Sequence, residues 1–126
     1  MKHLSKSQPR LLVTGANGFV GKGLVTYIAE KGLEVQQCMR KNNGDAGVGS
    51  ESLFLHGNLE DKIDWSDALE NIDAVVHTAA RVHVMNENSS DPLTQYRLIN
   101  VKATIDLAKQ ALKAGVKRFI YISSIK

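Results

Sequence analysis

Thr14-Gly15-Ala16-Asn17-Gly18-Phe19-Val20-Gly21 sets three glycines at three-residue intervals, where a short apolar run gives way to a helical pattern. Glycines at that spacing also occur in ordinary turns, so their place at a strand-to-helix junction is what gives them meaning. Gly15 permits a tight turn, Gly18 lets the backbone approach an anion, and Gly21 lets the helix pack closely on the strand. The helix start then presents unsatisfied N–H groups. The chemistry this suits is the binding of a dinucleotide pyrophosphate, with residues 15 to 21 as the contact set. A turn without a ligand would use Gly15 and Gly21 but leave Gly18 without a reason.

The end of the second strand is the next chemically telling position. An acidic residue there would take a ribose 2′-hydroxyl. Met39 stands there instead, followed by Arg40 and Lys41, whose cationic groups suit a 2′-phosphate that a carboxylate would repel. The residues therefore favour NADP(H) over NAD(H), with Arg40 as the selecting group. The other reading of Arg40 is a solvated charge that stacks on adenine.

These residues need a scaffold, and the hydrophobic pattern supplies one. Arg10 to Thr14 reads as a strand and Gly18 to Lys31 as a helix, with Val20, Leu24, Val25 and Ile28 forming its buried face and Gly32 its stop. Leu33 to Met39 reads as a second strand, made unusually polar by Gln36 and Gln37. A glycine-rich loop over Asn42 to Ser50 leads to a third strand, Ser52 to His56. A weak helix around Trp65 to Glu70 precedes a fourth strand, Ala74 to His77, and Trp65 and Leu69, four apart, should pack on the sheet. Asp91-Pro92 starts a long helix carrying Val101, Ile105, Ala108 and Leu112 along one stripe, closed by Gly115. Arg118 to Ile122 is a fifth strand. Strands alternating with helices require parallel pairing through right-handed crossovers. The expected fold is a Rossmann-type, doubly wound α/β sheet of about five strands in the order 3-2-1-4-5.

Composition narrows the classes of function. With 126 residues, 43% of them hydrophobic, the chain makes one globular domain and is too short for two. No apolar run approaches the roughly 18 residues needed to cross a bilayer, and the polar N-terminus has no signal-peptide core. The expectation is a cytoplasmic protein with no membrane partner. A net charge of +3 is scattered rather than clustered, which argues against a nucleic-acid partner. The single Cys38 cannot close an internal disulfide, and with His3, His56, His77 and His83 it makes no ligand pair at finger or helical spacing, so no metal site is expected.

Several further motifs fall in a telling order: Gly57-Asn58-Leu59 after the third strand, His77-Thr78-Ala79-Ala80 at the fourth, Asn100-Val101 in the long helix and Tyr121-Ile122-Ser123-Ser124 at the fifth. With the glycine turn, the set resembles the extended short-chain dehydrogenase/reductases, in the nucleotide-sugar epimerase, dehydratase and reductase branch to which UDP-glucose 4-epimerase belongs. The resemblance covers almost the whole chain. It implies that Asn58 and Leu59 contact adenine, although the family more often has Asp than Asn at the first of these. It implies that Thr78, Ala79 and Ala80 line the pyrophosphate and the nicotinamide ribose, that Asn100 supports the active-site strands beside the cofactor, and that Ser124 is the catalytic hydroxyl. Tight core packing is the other reading of Thr78 to Ala80, and a solvent-facing helix residue that of Asn100. Arg81, Val82 and His83 stand where the family has a mobile loop. His83 reads as structural or solvated, and His77, ending an apolar strand, as satisfying backbone groups, rather than as acids or bases.

The same resemblance implies a Tyr-x-x-x-Lys pair, in which Tyr exchanges a proton with the reacting oxygen and Lys lowers its pKa. Tyr27-Ile28-Ala29-Glu30-Lys31 has that spacing but lies toward the wrong end of the first helix, so the pair is expected beyond Lys126. The chain then reads as the N-terminal NADP- or NAD-binding portion, residues 1–126, of a UDP-glucose 4-epimerase-like enzyme acting on a nucleotide sugar by hydride transfer. By itself it should be inactive. An NADPH-dependent UDP-4-keto-sugar reductase and a non-catalytic dinucleotide sensor are the alternatives. Four residues follow the fifth strand, so apolar surface beside it should stay uncovered. At roughly 25 cal/mol per Å² this makes self-association, most simply as a homodimer, an expected remedy.

Overall fold

The structure is a computed structural model, and it describes residues 8–41, 52–59, 61–78 and 92–122. The glycine-rich loop, Ala79, Ala80, Arg81, Val82, His83 and Ser124 lie outside the described residues. The elements run β1 (Arg10–Thr14), α1 (Phe19–Glu30), β2 (Glu34–Arg40), β3 (Leu53–His56), β4 (Ala74–His77), α2 (Pro92–Lys113) and β5 (Arg118–Tyr121). The five strands form one sheet in the order β3-β2-β1-β4-β5, with every neighbouring pair parallel.

Burial follows from that topology. A central parallel strand is covered on both faces, which is why β1 is a continuous apolar run. Leu12 faces one side with Cys38 and Val75, against Trp65, Leu69, Leu107 and Ala111. Val13 faces the other side with Val76, against Ile28, with Leu24 and Val25 beside them. The polar β2 has a specific cause: buried Gln36 accepts a hydrogen bond from the Arg10 guanidinium at 3.1 Å, so a side chain unusual for such a strand is satisfied rather than stranded.

Three expectations need correction. In place of the helix expected around residues 65–70, residues 66–71 form consecutive turns. Asp64 Oδ1 accepts bonds from the Ser66 N–H (3.0 Å) and hydroxyl (2.6 Å), and Asn71 sits at φ 62°, so the segment is closed at both ends after one helical bond, Leu69 N–H to Trp65 O. Trp65 and Leu69 are nonetheless buried against the sheet. On α2 the stripe of Val101, Ile105 and Leu112 is exposed, with Leu112 at 78%, and Leu107 and Ala111 are buried instead. The more apolar stripe of α2 therefore points away from the core, and the buried one joins Leu12, Trp65 and Val75 through Leu107 and Ala111. On α1, Val20 is exposed because it stands in the first turn, at the open mouth of the helix, while Gly21 and Ile28 are buried.

Candidate dinucleotide site

All five strands point the same way, so the ends of β1, β2, β3 and β4 share one edge of the sheet, the edge at which open α/β sheets bind ligands. The turn after β1 is built from backbone bonds. Gly15 takes φ +64°, a conformation that disfavours side chains, and its carbonyl accepts the Gly18 N–H at 2.9 Å. The Ala16 N–H reaches across to Cys38 O at 3.1 Å and anchors the turn to β2. Gly18 is the N-cap of α1 in an extended conformation, its carbonyl taking the Lys22 N–H at 2.8 Å. No side chain caps this helix and its first turn holds no acidic residue. The leading N–H groups are therefore available to an anion.

The glycines differ in what they permit. A Cβ on Gly21 would lie 2.0 Å from Gly15 O and 3.0 Å from the Ala16 Cα, so the helix rests directly on the turn. A Cβ on Gly18 would lie 3.3 Å from the same oxygen, a tight but not impossible approach. Asn17, Phe19 and Val20 are exposed around the mouth, whereas Ala16 is buried. The cradle fits a pyrophosphate.

Below the turn, β4 is clasped to β1. Thr14 Oγ1 accepts the Thr78 N–H at 3.0 Å, and the Thr78 hydroxyl donates to Thr14 O at 2.6 Å. Thr14 Oγ1 also shares a 2.7 Å hydrogen bond with His77 Nδ1. His77 thus bonds a side-chain hydroxyl. Burial, reinforced by nearby His56, pushes its pKa down to about 4. The ring is neutral, and it stacks on Tyr121 with 5.8 Å between centroids.

Arg40 is exposed at the end of β2, in register with His56 on β3. Asn58 is exposed just beyond β3, and Leu59 is half-buried at the rim of a cavity of about 610 Å³ shared with Trp65 and the Leu98 to Ile105 stretch of α2. Asn100, half-buried, lies on that same helix rather than on the strand-end row. Tyr27 and Lys31 stand at the far end of α1, where the Lys31 ammonium lies 5.2 Å from the exposed Tyr27 ring centroid. Among the described residues, no group of three His, Cys, Asp or Glu could hold a metal. No described helix is long and apolar enough to cross a membrane.

Two contributors to this edge carry no signal in the sequence. His56 is buried against Trp65 with 4.9 Å between ring centroids. Gln110 of α2 accepts the Trp65 N–H and donates to Ile63 O, each at 2.8 Å, fixing the segment beneath His56. Nothing about a mid-helix Gln in a sequence marks it as a clamp.

Residues 11–126 match the NAD dependent epimerase/dehydratase family. The chain belongs to that family. It is 42% identical over 123 residues to a UDP-glucose 4-epimerase of Vibrio cholerae, covering 96% of this chain and 36% of the relative. It is 34% identical over 119 residues to a 3-beta-hydroxysteroid dehydrogenase of Mycolicibacterium neoaurum, covering 91% and 32%. Among solved structures, MoeE5 in complex with UDP-glucose and NAD is similar at a TM-score of 0.68 and 34% identity, covering 92% of this chain and 36% of that one. The chain spans about a third of the length of these relatives.

Proposed function

We propose that residues 1–126 are the NAD(P)-binding Rossmann domain of a nucleotide-sugar epimerase or dehydratase, similar to UDP-glucose 4-epimerase, acting by hydride transfer at a sugar carbon. The observation that carries this reading is the uncapped start of α1 behind a turn in which Gly21 leaves no room for a Cβ. Gly15 to Gly21 hold the pyrophosphate, Asn58 and Leu59 the adenine, and Thr78 with Ala79 and Ala80 the nicotinamide ribose side, with Asn100 supporting that end. When bound, the nicotinamide supplies the hydride acceptor and donor. Ser124 holds the sugar oxygen that changes oxidation state. The accompanying proton needs a Tyr-x-x-x-Lys pair, and Tyr27 with Lys31 sits too far from the strand ends to serve, so the chain alone is inactive. Its partner in the complete protein is a UDP-sugar, and by itself the chain pairs with a second copy in a homodimer through the exposed Ile120, Tyr121 and Ile122 of the β5 region.

A second reading, an NADPH-dependent 4-keto-sugar reductase, is favoured by Arg40, the exposed cation at the end of β2. Fluorescence titration of the chain with NADH and NADPH tests both readings. Binding that is lost in Gly18→Val supports the site, and a preference for NADPH that disappears in Arg40→Ala supports the reductase. Wild-type binding by Gly18→Val overturns the site, and equal or tighter NADH binding that Arg40→Ala does not alter removes the role of Arg40.

A further inference from the structure

His77 ends β4, is 1% exposed, and stands in register with Thr14 on β1 and Tyr121 on β5. Its carbonyl takes the Ile122 N–H at 3.1 Å, and besides the stack on Tyr121 its ring packs on Phe119 with 6.2 Å between centroids. The ring is thus fixed by β5 on one side, and on the other it reaches the Thr14 hydroxyl at 2.7 Å. That hydroxyl already accepts the Thr78 N–H, and a hydroxyl that passes its own proton onward is the stronger acceptor. His56, also buried, shows the contrasting arrangement. Its Nδ1 lies 2.7 Å from the Gly57 carbonyl, which only accepts, so the proton is on Nδ1 and the buried Nε2 is an acceptor without a partner.

We propose that His77 is a positioning residue for the nicotinamide half of the cofactor: its Nδ1 accepts the Thr14 hydroxyl proton and so aims the Thr14 lone pairs at the Thr78 N–H. The inference rests on the dinucleotide site proposed above and deepens it by naming the group that sets Thr78, one that need not touch the ligand itself. Half-buried Thr78 spends its own hydroxyl proton on Thr14 O, so its oxygen keeps lone pairs alone, as suits the acceptance of a ribose hydroxyl. The same hydroxyl lies 3.5 Å from Gly15 O, the oxygen beneath α1. Without an acceptor at His77, the Thr14 hydroxyl loses its fixed direction and Thr78 loses the bond that orients its backbone. The effect falls on one half of the cofactor, because β4 lies on one side of β1, while β2 and β3, which lead to Asn58 and Leu59, lie on the other.

ADP carries the adenosine and both phosphates but no nicotinamide riboside, so titrating the 126-residue chain with NAD and with ADP reads the two halves apart. His77→Leu, which fills the space but offers no acceptor, is expected to weaken NAD about tenfold and ADP by less than about twofold. His77→Asn, whose side-chain oxygen stands where Nδ1 does, restores most of the NAD affinity although it too loses the stack on Tyr121. A histidine that served structure alone would lower both ligands together and gain nothing from Asn. An unchanged ratio of NAD to ADP affinity in His77→Leu, or a changed ratio that His77→Asn does not restore, overturns the proposal. The unmutated chain gives an independent reading that needs no variant to fold: imidazole ¹⁵N–¹H correlations place the His77 proton on Nε2 and the His56 proton on Nδ1. A proton on His77 Nδ1 also overturns the proposal. Failure of both NAD and ADP to bind the unmutated chain refutes the dinucleotide site itself, and this inference with it.

Discussion

Gly21 and Gly23 stand two residues apart in α1, and replacing each with Ala should move stability in opposite directions. Helix propensity alone favours Ala over Gly at either position by up to about 1 kcal/mol. At Gly23 nothing lies within 4 Å of the added Cβ, so that gain should appear nearly in full. At Gly21 the Cβ would stand 2.0 Å from Gly15 O and 2.7 Å from its carbonyl carbon, over about 1 Å inside van der Waals contact with backbone that cannot rotate away. Overpacking of this kind costs about 1–3 kcal/mol. The displaced carbonyl also accepts the Gly18 N–H, which adds about 1 kcal/mol. Set against the propensity gain of up to about 1 kcal/mol, the expected net loss is about 1–4 kcal/mol, a sizeable part of the 5–15 kcal/mol typical of a domain. Thermal unfolding followed by circular dichroism should show Gly21→Ala melting roughly 10 °C below wild type and Gly23→Ala a few degrees above it. A Gly21→Ala midpoint at or above wild type would refute the claim that the helix rests on the turn.

Gln110→Ala removes the partner of both the Trp65 N–H and the Ile63 carbonyl and should cost about 1–3 kcal/mol in urea denaturation, with Gln110→Glu intermediate because it keeps only the acceptor. His77 gives a pH dependence of definite sign. Its native pKa of about 4 lies below the ordinary 6.5, so between those values the unfolded chain takes up a proton that the native state refuses. Stability should fall as pH drops through that window, by up to about 3 kcal/mol, and His77→Gln should flatten this part of the profile in urea midpoints taken across it. His56→Phe should raise the melting temperature of the cofactor-free chain by a few degrees, since it removes an unsatisfied buried acceptor and frees only the carbonyl of exposed Gly57, which water can satisfy.

The turn could be read from the sequence because backbone geometry leaves few residues able to fill it: Gly15 needs positive φ and Gly21 needs no Cβ, so both requirements appear as residue types. Parallel pairing in a doubly wound sheet followed from the alternation of elements. Which face of α2 is buried could not be read in the same way, because two stripes wind along that helix. The more apolar one, through Val101, Ile105 and Leu112, points outward, while Leu107 and Ala111 join the core of Leu12, Trp65 and Val75. The turns over residues 66–71 were hidden for a related reason. A segment with helical spacing at Trp65 and Leu69 is halted by Asp64 capping Ser66 and by the positive φ of Asn71. The orphan acceptor of His56 depends on where the next residue's carbonyl points, which no residue type records.

The edge of the sheet separates what holds the site in place from what the site offers a ligand. The turn is fixed by bonds that are complete without a cofactor: Ala16 N–H to Cys38 O on one side, Thr78 to Thr14 on the other, and Gly15 O to Gly18 within. The groups left for a ligand are the first N–H groups of α1, which no side chain caps. Because the two sets barely overlap, binding and stability should respond to different substitutions. Gly18→Ala places a methyl 3.3 Å from Gly15 O, close enough to be accommodated with a small shift yet at the point where phosphate must approach. It should therefore lower dinucleotide affinity at least tenfold while moving the urea midpoint by less than the equivalent of about 1 kcal/mol. Paired losses of stability and affinity in Gly18→Ala would mean that the turn and the ligand groups are one structure rather than two.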